Sequence, residues 1–226
     1  MPSRRPSVLA HENFVKHREA IARLPLAERF AYIAANNVWG SPESRSGTGS
    51  ALEQTQTLIE TIPAVLRRVG ADSLLDIPCG DFHWLSMADL GVDYTGADIV
   101  QDLVDANSRR YGAPGRRFLR LDLTADRLPR ASVVLCRDCL VHLSFANIAR
   151  ALANVRASGA GHLLMTHFPL TEENADVEDG DWRSLNLTLP PFNLPAPLES
   201  LVENCGEDGG AYGDKSLSLW RAADLG

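Results

Sequence analysis

The sequence predicts a doubly wound α/β fold with a mostly parallel sheet and an N-terminal helical extension. From residue 73 onward, short continuous apolar runs alternate with polar segments long enough to form helices. Continuous apolar runs are typical of parallel strands that are buried on both faces. The length of 226 residues and the hydrophobic content of 45% are sufficient for one such core. The five predicted strands are Leu74–Ile77, Tyr94–Ile99, Phe118–Leu121, Val133–Cys136 and His162–Phe168.

The chain before the sheet consists of helices and one loop. Residues 11–38 have apolar side chains spaced by three and four positions and interrupted at Pro25, which predicts two short helices. The stretch Trp39–Ser50 is rich in turn-forming residues, so it is either a linker or a ligand-binding loop. A third helix is predicted over Ala51–Val69, because its apolar residues share one face.

The chain after the fifth strand is predicted to complete the sheet. Two segments, Leu198–Cys205 and Lys215–Arg221, are expected to pair as its last strands. Residues 169–197 carry aromatic, acidic and proline residues without periodicity, which favours an ordered substrate lid over a disordered segment. We therefore divide the chain into an extension, residues 1–50, and a domain, residues 51–226, that contains this lid.

Composition and charge narrow the classes of function. The formal net charge of −7 disfavours a surface for the phosphate backbone of nucleic acids. No apolar run reaches the roughly 18 residues of a membrane span, and the apolar stretch near the start is too short for the core of a secretion signal. The four cysteines do not follow the pattern of a disulfide framework. We expect a cytoplasmic protein that acts on a small molecule, without a nucleic-acid or membrane partner.

Acidic residues follow three successive predicted strands. Asp98 comes 22 residues after Asp76, the distance at which an acidic residue binds an adenosine ribose in doubly wound folds, and Asp122 follows the next strand. The turn after Asp76 contains Gly80 but lacks the further glycines of a pyrophosphate-binding loop. An adenosine ligand without phosphate, S-adenosylmethionine, fits better, and Asp76 or Asp81 would offset its positive charge. Alternatively, the three acids only cap the helices that follow.

These residues together resemble the class I S-adenosylmethionine-dependent methyltransferases over roughly Ser46 to Arg221. The matching motifs are Asp76-x-x-x-Gly80-Asp81, Asp98, Asp122 and Cys136-Arg-Asp-Cys-Leu-Val-His142, in this order along the chain. The stretches Trp39-Gly-Ser and Asp-Ile-Pro-Cys-Gly-Asp also resemble a smaller group of bacterial methyltransferase-domain proteins. The resemblance implies that Asp98 binds the ribose, Asp122 and Leu123 border the adenine, and Gly80 faces the methionine part. The other residues that we assign to the cofactor site are Ser46, Gly47, Asp76, Asp81, Ile99 and Arg137.

Asp138 and His142 are the candidate catalytic residues. Both follow the fourth strand, and their spacing of four puts them on one face if a helix begins there. An aspartate beside a histidine orients it and raises its basicity, so the pair would help to deprotonate a hydroxyl. Alternatively, Asp138 caps a helix and His142 is a buried structural residue. His167, after the fifth strand, is the second candidate base.

Further candidates concern the substrate and a metal. We assign Trp182, Arg183 and Asn186 of the predicted lid to the substrate, together with His167. Cys136, Cys139 and His142 have a spacing that also occurs at zinc sites, but the sequence lacks a second ligand pair, so we expect no metal.

Three functions remain as hypotheses. The first is a methyltransferase that uses S-adenosylmethionine and acts on a small molecule, such as the hydroxyl of a sugar or natural product. The second is a nicotinamide-dependent oxidoreductase, because a strand, a turn and Asp98 occur in the order that such enzymes use. The third is a partner protein that binds the cofactor without catalysis, which would have a blocked or absent acceptor cavity beside His142.

Overall fold

A seven-stranded mixed sheet forms the centre of the molecule, whose computed structural model describes residues 5–225. The strands are β1 (Ser73–Asp76), β2 (Asp93–Asp98), β3 (Arg116–Arg120), β4 (Val133–Cys136), β5 (His162–His167), β6 (Glu199–Val202) and β7 (Ser216–Arg221). The helices are α1 (Leu9–Ile21), α2 (Leu26–Ala35), α3 (Leu52–Arg68), α4 (Gln101–Tyr111) and α5 (Phe145–Ala157).

The order of the strands in the sheet is β3-β2-β1-β4-β5-β7-β6. The first five strands are parallel, whereas β7 runs antiparallel to both β5 and β6. All five predicted parallel strands are therefore confirmed to within about two residues, and so is the predicted final pair. Because the chain reverses its direction of winding between β1 and β4, the ends of these strands leave a crevice that ligands commonly occupy.

Both faces of the sheet are covered, as the continuous apolar runs predicted. Alternate residues of one strand point to opposite faces, so Leu74 packs with Leu58 and Ile62 of α3, while Leu75 packs with Ile148 of α5. The two short N-terminal helices are confirmed, with Pro25 between them immediately before α2. No helix within residues 5–225 is long and apolar enough to cross a membrane.

The connections between strands differ from the prediction. Only the β2–β3 and β4–β5 connections contain α-helices, whereas residues 77–92 between β1 and β2 form turns and a short 3₁₀ segment, Leu85–Met87. The reason lies in the bulky aromatic residues of this connection. Phe82, at a φ of +54°, fills the space above the sheet, with ring centroids 4.8 Å from Tyr94 and 5.2 Å from Phe118. These contacts bury apolar area that a crossover helix would otherwise bury.

Residues 169–197 contain no helix or strand, yet they pack against the sheet. Leu185 and Leu187 belong to the same hydrophobic cluster as α5 and are fully buried. The main chain is fixed as well, since Phe168 donates its N–H to the carbonyl of Leu185 at 3.0 Å. Opening a lid would expose these side chains at a cost of about 2 kcal/mol each. We therefore describe this segment as a fixed wall.

Candidate functional site

The acids that follow the first three strands meet in one cavity. Asp76 ends β1, Asp98 ends β2 and Asp122 lies two residues after β3, and all three line a crevice of about 970 Å³ including its open mouth. The predicted cofactor-site residues that line this crevice are Ser46, Asp76, Gly80, Asp98, Ile99, Asp122, Leu123 and Arg137. We call it the first cavity. The N-terminal extension covers it, because Leu26 and Phe30 of α2 form part of its wall.

Asp76 and Asp98 are buried carboxyl groups without a cationic partner. Asp76 accepts a hydrogen bond from the hydroxyl of Tyr94 at 2.6 Å, and Asp98 accepts the N–H groups of Gly80 at 3.0 Å and Val100 at 2.9 Å. Burial raises the pKa of Asp76 to about 7 and that of Asp98 to about 6, although these hydrogen bonds act in the opposite direction. No Lys, Arg or His among residues 5–225 forms an ion pair with either side chain. Arg45 and Arg137 also line the first cavity, so they offset part of its negative charge but form no ion pair with Asp76 or Asp98.

The turn after β1 and the loop 39–50 form one mouth of this cavity. Gly80 has a φ of +54°, and a Cβ atom there would overlap the hydroxyl of Ser46. Asp81 does not line the cavity but holds the loop, because it accepts the Ser44 hydroxyl at 3.0 Å and the N–H of Arg45 at 2.7 Å. The loop is thus a wall of the cavity, as the binding-loop interpretation requires.

Asp122 stabilises a turn and faces the first cavity, but it caps no α-helix, since none lies between β3 and β4. Its Oδ1 accepts the N–H of Thr124 at 2.8 Å and the Thr124 hydroxyl at 2.7 Å, which shapes the turn after β3. Asp98 accepts the N–H of Val100, the residue before α4, but no side chain caps the N terminus of this helix. The alternative that these acids only cap the following helices is therefore wrong for Asp98 and Asp122.

A buried cluster of four charges follows β4. Asp138 lies 2.6 Å from the Lys215 ammonium and 3.1 Å from the Arg137 guanidinium, and Glu203 lies 2.6 Å from Arg137 and 3.6 Å from Lys215. Burial alone would raise the pKa of Asp138, but the two cations outweigh it and hold the pKa at about 2. Arg137 also donates to the carbonyl of Gly49 at 2.8 Å, which ties the loop to the cluster.

His142 differs from the prediction in its backbone and in its partner. No α-helix begins at Asp138, which has a φ of +48°, and His142 lies in a 3₁₀ turn, Leu140–His142. The spacing argument for the pair is therefore wrong. The main-chain carbonyl of Asp181, 2.8 Å from Nδ1, orients the ring, so Nδ1 carries the proton in this bond and Nε2 has a free lone pair. Burial lowers the pKa of His142 to about 4, so the imidazole is neutral near pH 7.

The segment before Arg183 fixes the turn that carries His142. Gly180 donates its N–H to the carbonyl of His142 at 2.7 Å. The guanidinium of Arg183 donates to the carbonyls of Leu140 and Leu143, both at 2.6 Å. The main-chain N–H of Arg183 donates to the carbonyl of Val141 at 3.2 Å. Arg183 is buried and lines neither cavity, and its Nε donates to the carbonyl of Ala175 at 3.3 Å, so its polar contacts are to main-chain carbonyls.

A second cavity of about 920 Å³, including its opening, adjoins the first. The two share Trp39, Ser46, Asp138 and His142 as a common wall. Trp39 stacks on the His142 ring at a centroid distance of 4.5 Å. Because the side chains of Trp39 and His142 face both cavities, ligands bound in the two cavities would lie close to each other.

Solved structures with a similar fold were found, whereas no protein-family model and no curated protein sequence matches the chain. Human N-acetylserotonin methyltransferase in complex with S-adenosylmethionine has 11% identity and a TM-score of 0.53, over 93% of this chain and 70% of that chain. The PH0226 protein from Pyrococcus horikoshii has 16% identity and a TM-score of 0.52, over 74% of this chain and 90% of that chain. The chain has the class I methyltransferase fold. In this methyltransferase fold, Asp76 and Asp98 end β1 and β2 at the edge of the sheet where ligands commonly bind.

The four residues that the sequence assigned to the substrate do not lie together in one cavity. Trp182 lines the second cavity, as does Gly47, which was assigned to the cofactor side. His167 lines neither cavity, and its Nδ1 accepts the N–H of Leu187 at 3.2 Å. Asn186 also lies outside both cavities, because its amide donates to the carbonyls of Pro169 and Thr171 within the wall segment.

The sequence analysis missed several residues of the second cavity and of its charge cluster. They are Phe168, Glu203, Glu207, Asp208, Tyr212 and Lys215. One sequence feature pointed to this cluster, namely Lys215 immediately before β7, in which Leu217, Leu219 and Trp220 are apolar. A charged residue there must find a buried partner, since an unpaired ammonium is rarely buried. Within residues 5–225, no group of three or more His, Cys, Asp or Glu side chains is arranged to hold a metal ion.

Proposed function

We propose that the chain is a methyltransferase that binds S-adenosylmethionine in the first cavity and a small-molecule acceptor in the second. The observation that carries this proposal is the pair of unpaired carboxyl groups, Asp76 and Asp98, in a crevice at the ends of the strands. A ligand with a sulfonium and an ammonium group compensates such a potential. A pyrophosphate would add negative charge to it, which argues against a nicotinamide cofactor.

The residues of the first cavity fit this cofactor part by part. Asp98 is placed to accept the ribose hydroxyls, and Ile99 and Leu123 provide apolar surface for the adenine beside Asp122. Gly80 gives the methionine part access to the main chain. Bound there, the cofactor supplies a methyl group on a positively charged sulfur, which makes the methyl carbon open to attack by a lone pair.

His142 is the proton acceptor in the proposed reaction. The cofactor held by the first cavity would supply a methyl group to the acceptor's hydroxyl oxygen and leave as S-adenosylhomocysteine, and Nε2 of His142 would take up the hydroxyl proton and pass it to solvent. A pKa of about 4 is high enough for His142 to accept this proton, because an oxygen that carries both a new methyl group and its proton is strongly acidic. Asp138 is a positioning residue, because Lys215 and Arg137 keep its carboxylate paired.

The adjoining second cavity supports an enzyme over a non-catalytic binding protein. Such a partner protein was expected to have a blocked or absent space beside His142, whereas this space measures about 920 Å³ with its opening. The net charge of −7 supports a small molecule over a nucleic acid as the acceptor.

Calorimetric titration with S-adenosylmethionine tests the cofactor part of the proposal. Asp98→Asn should weaken binding about 10- to 100-fold, since it removes charge-assisted hydrogen bonds to the ribose. Asp102→Asn, an exposed acid on α4 outside the cavity, is the matched control and should bind like the wild type. Absence of binding to the wild-type protein, or equal affinity in both variants, would refute the assignment.

A further inference from the structure

Aromatic rings form the end of the second cavity that lies away from the first. Phe168, Trp182 and Tyr212 line it and contact one another edge to face, with centroid distances of 5.0 to 6.0 Å. Trp39 forms the opposite side, next to His142. Aromatic walls of this kind bind apolar rings and, through their π faces, cationic groups.

The charges around this cavity do not cancel. Three carboxylates, Asp138, Glu207 and Asp208, and one ammonium, that of Lys215, belong to its lining. Lys215 is committed to Asp138 at 2.6 Å and to Glu203 at 3.6 Å. Glu207 and Asp208 form no ion pair with another residue of the described chain, 5–225. The cavity is therefore net negative at the side where these two acids lie.

Glu207 is held in place for a ligand. One carboxylate oxygen accepts the hydroxyl of Thr48, and the other accepts the thiol of Cys205 at 3.5 Å, which fixes its rotamer and leaves lone pairs free. Asp208 beside it has a φ of +50°. Burial raises the pKa of Asp208, and the charges of Glu207 and Glu12 raise it further, which agrees with a negative potential at this place.

A cation of the chain itself contacts the same aromatic cluster, although it does not line the second cavity. The guanidinium carbon of Arg5 lies 5.3 Å from the ring centroid of Tyr212 and 5.9 Å from that of Phe168. Its Nη2 lies 2.9 Å from Asp214. An aromatic face combined with a carboxylate thus binds a positive charge at this cluster, and the second cavity is lined by the same rings together with Glu207.

We propose that the acceptor of this enzyme is a small compound with a protonated amine, which binds between Glu207 and the aromatic wall of the second cavity. The inference rests on the proposed function, which makes this cavity the acceptor site. An ammonium group has no lone pair while it is protonated, so it anchors the compound and is not the atom that is methylated. The methylated atom is a second group of the same compound, such as a hydroxyl, placed at His142.

Two small probes of equal size separate charge from shape. Binding of 2-phenylethylammonium and of 2-phenylethanol is measured by ligand-observed NMR, with and without saturating S-adenosylhomocysteine. The ammonium compound should bind about tenfold more tightly, the effect of one partly buried ion pair with a cation–π contact. Glu207→Gln keeps the size and an acceptor oxygen, and it should reduce the affinity of the ammonium compound to that of the alcohol.

The controls distinguish this inference from the proposed function. Glu172→Gln, an exposed acid of the wall segment outside the cavity, should leave both affinities unchanged, and Asp208→Asn should have a smaller effect than Glu207→Gln. Equal binding of the two probes, binding of neither at millimolar concentration, or an unaltered preference in Glu207→Gln would overturn the inference. Failure of S-adenosylhomocysteine to bind, with the amine preference intact, would instead refute the proposed function.

Discussion

Replacing Asp76 with asparagine tests the electrostatics of the first cavity most directly. The pKa of this buried carboxyl group rises from 3.8 to about 7, and the cause is burial. The unfolded chain therefore loses this proton well below pH 7, whereas the folded protein retains it up to about pH 7. The stabilising effect of the protonated group is complete below about pH 3.8 and is lost as the pH rises to about 7. Asparagine is neutral at every pH and keeps an acceptor for the Tyr94 hydroxyl, so Asp76→Asn should stabilise the protein at high pH.

The size of the effect follows from the two pKa values. Integration of the linkage relation gives an advantage of roughly 4 kcal/mol for Asp76→Asn at pH 8 and roughly 2 kcal/mol at pH 5, before any change in packing. A packing effect of the amide does not depend on pH and cancels in the difference between the two conditions. The free energy of unfolding gained by the variant should therefore be larger at pH 8 by about 2 to 3 kcal/mol.

Urea unfolding of both proteins at the two pH values measures this difference. The same variant should bind S-adenosylmethionine more weakly at pH 8, because it lacks a negative charge opposite the sulfonium and ammonium groups. Wild-type affinity should increase between pH 5 and pH 8 as Asp76 ionises, and the increase should be smaller in the variant. An equal stability difference at both pH values would show that burial does not raise the pKa of Asp76.

Three further predictions concern Asp138, His142 and Arg183, whose side chain binds the turn that carries His142. Asp138→Asn leaves Arg137 and Lys215 with one carboxylate fewer and should lower the free energy of unfolding by about 3 kcal/mol, as read by urea unfolding; unchanged stability would contradict the paired state of Asp138. Arg183→Lys keeps the charge but loses one of two bonds to the turn of His142, so kcat should fall about tenfold while the Kd of the cofactor is unchanged; an equal loss in both would indicate misfolding instead. At saturating cofactor, kcat should not rise between pH 6 and pH 8, because His142 is neutral throughout this range, and a rise centred near pH 6.5 would disprove its lowered pKa.

The sheet could be predicted because its strands are buried on both faces. Burial of this kind produces apolar runs such as Val133–Cys136, which are visible in the sequence without knowledge of the partners. The connection between β1 and β2 could not be predicted in the same way. Its aromatic residues give no periodicity, and only the folded sheet shows that Phe82 packs against Tyr94 and Phe118.

The topology of the sheet predicts that the acids after the strands meet in one cavity. It does not predict the charge cluster that follows β4. Parallel strands end at one edge, so acids that follow them meet whatever the length of the connections. Asp138 and Lys215 are 77 residues apart, and no local pattern pairs them. In the segment 169–197, polar side chains that satisfy the backbone look the same in the sequence as side chains that bind a ligand. Arg183 was assigned to the substrate for this reason, yet its guanidinium contacts main-chain carbonyls.

For the proposed reaction, the groups that face both cavities are the candidates for the proton acceptor. Ser46 donates its hydroxyl toward Asp81 at 3.4 Å, and the indole of Trp39 has a donor but no acceptor atom. Asp138 is ionised, but its Oδ2 is 2.6 Å from the ammonium of Lys215, and its low pKa opposes protonation. Among these groups, the lone pair of His142 Nε2 therefore remains to accept the proton. Its direction depends on the bond between Nδ1 and the carbonyl of Asp181, so in the proposed reaction Asp181 would act through the tautomer of His142.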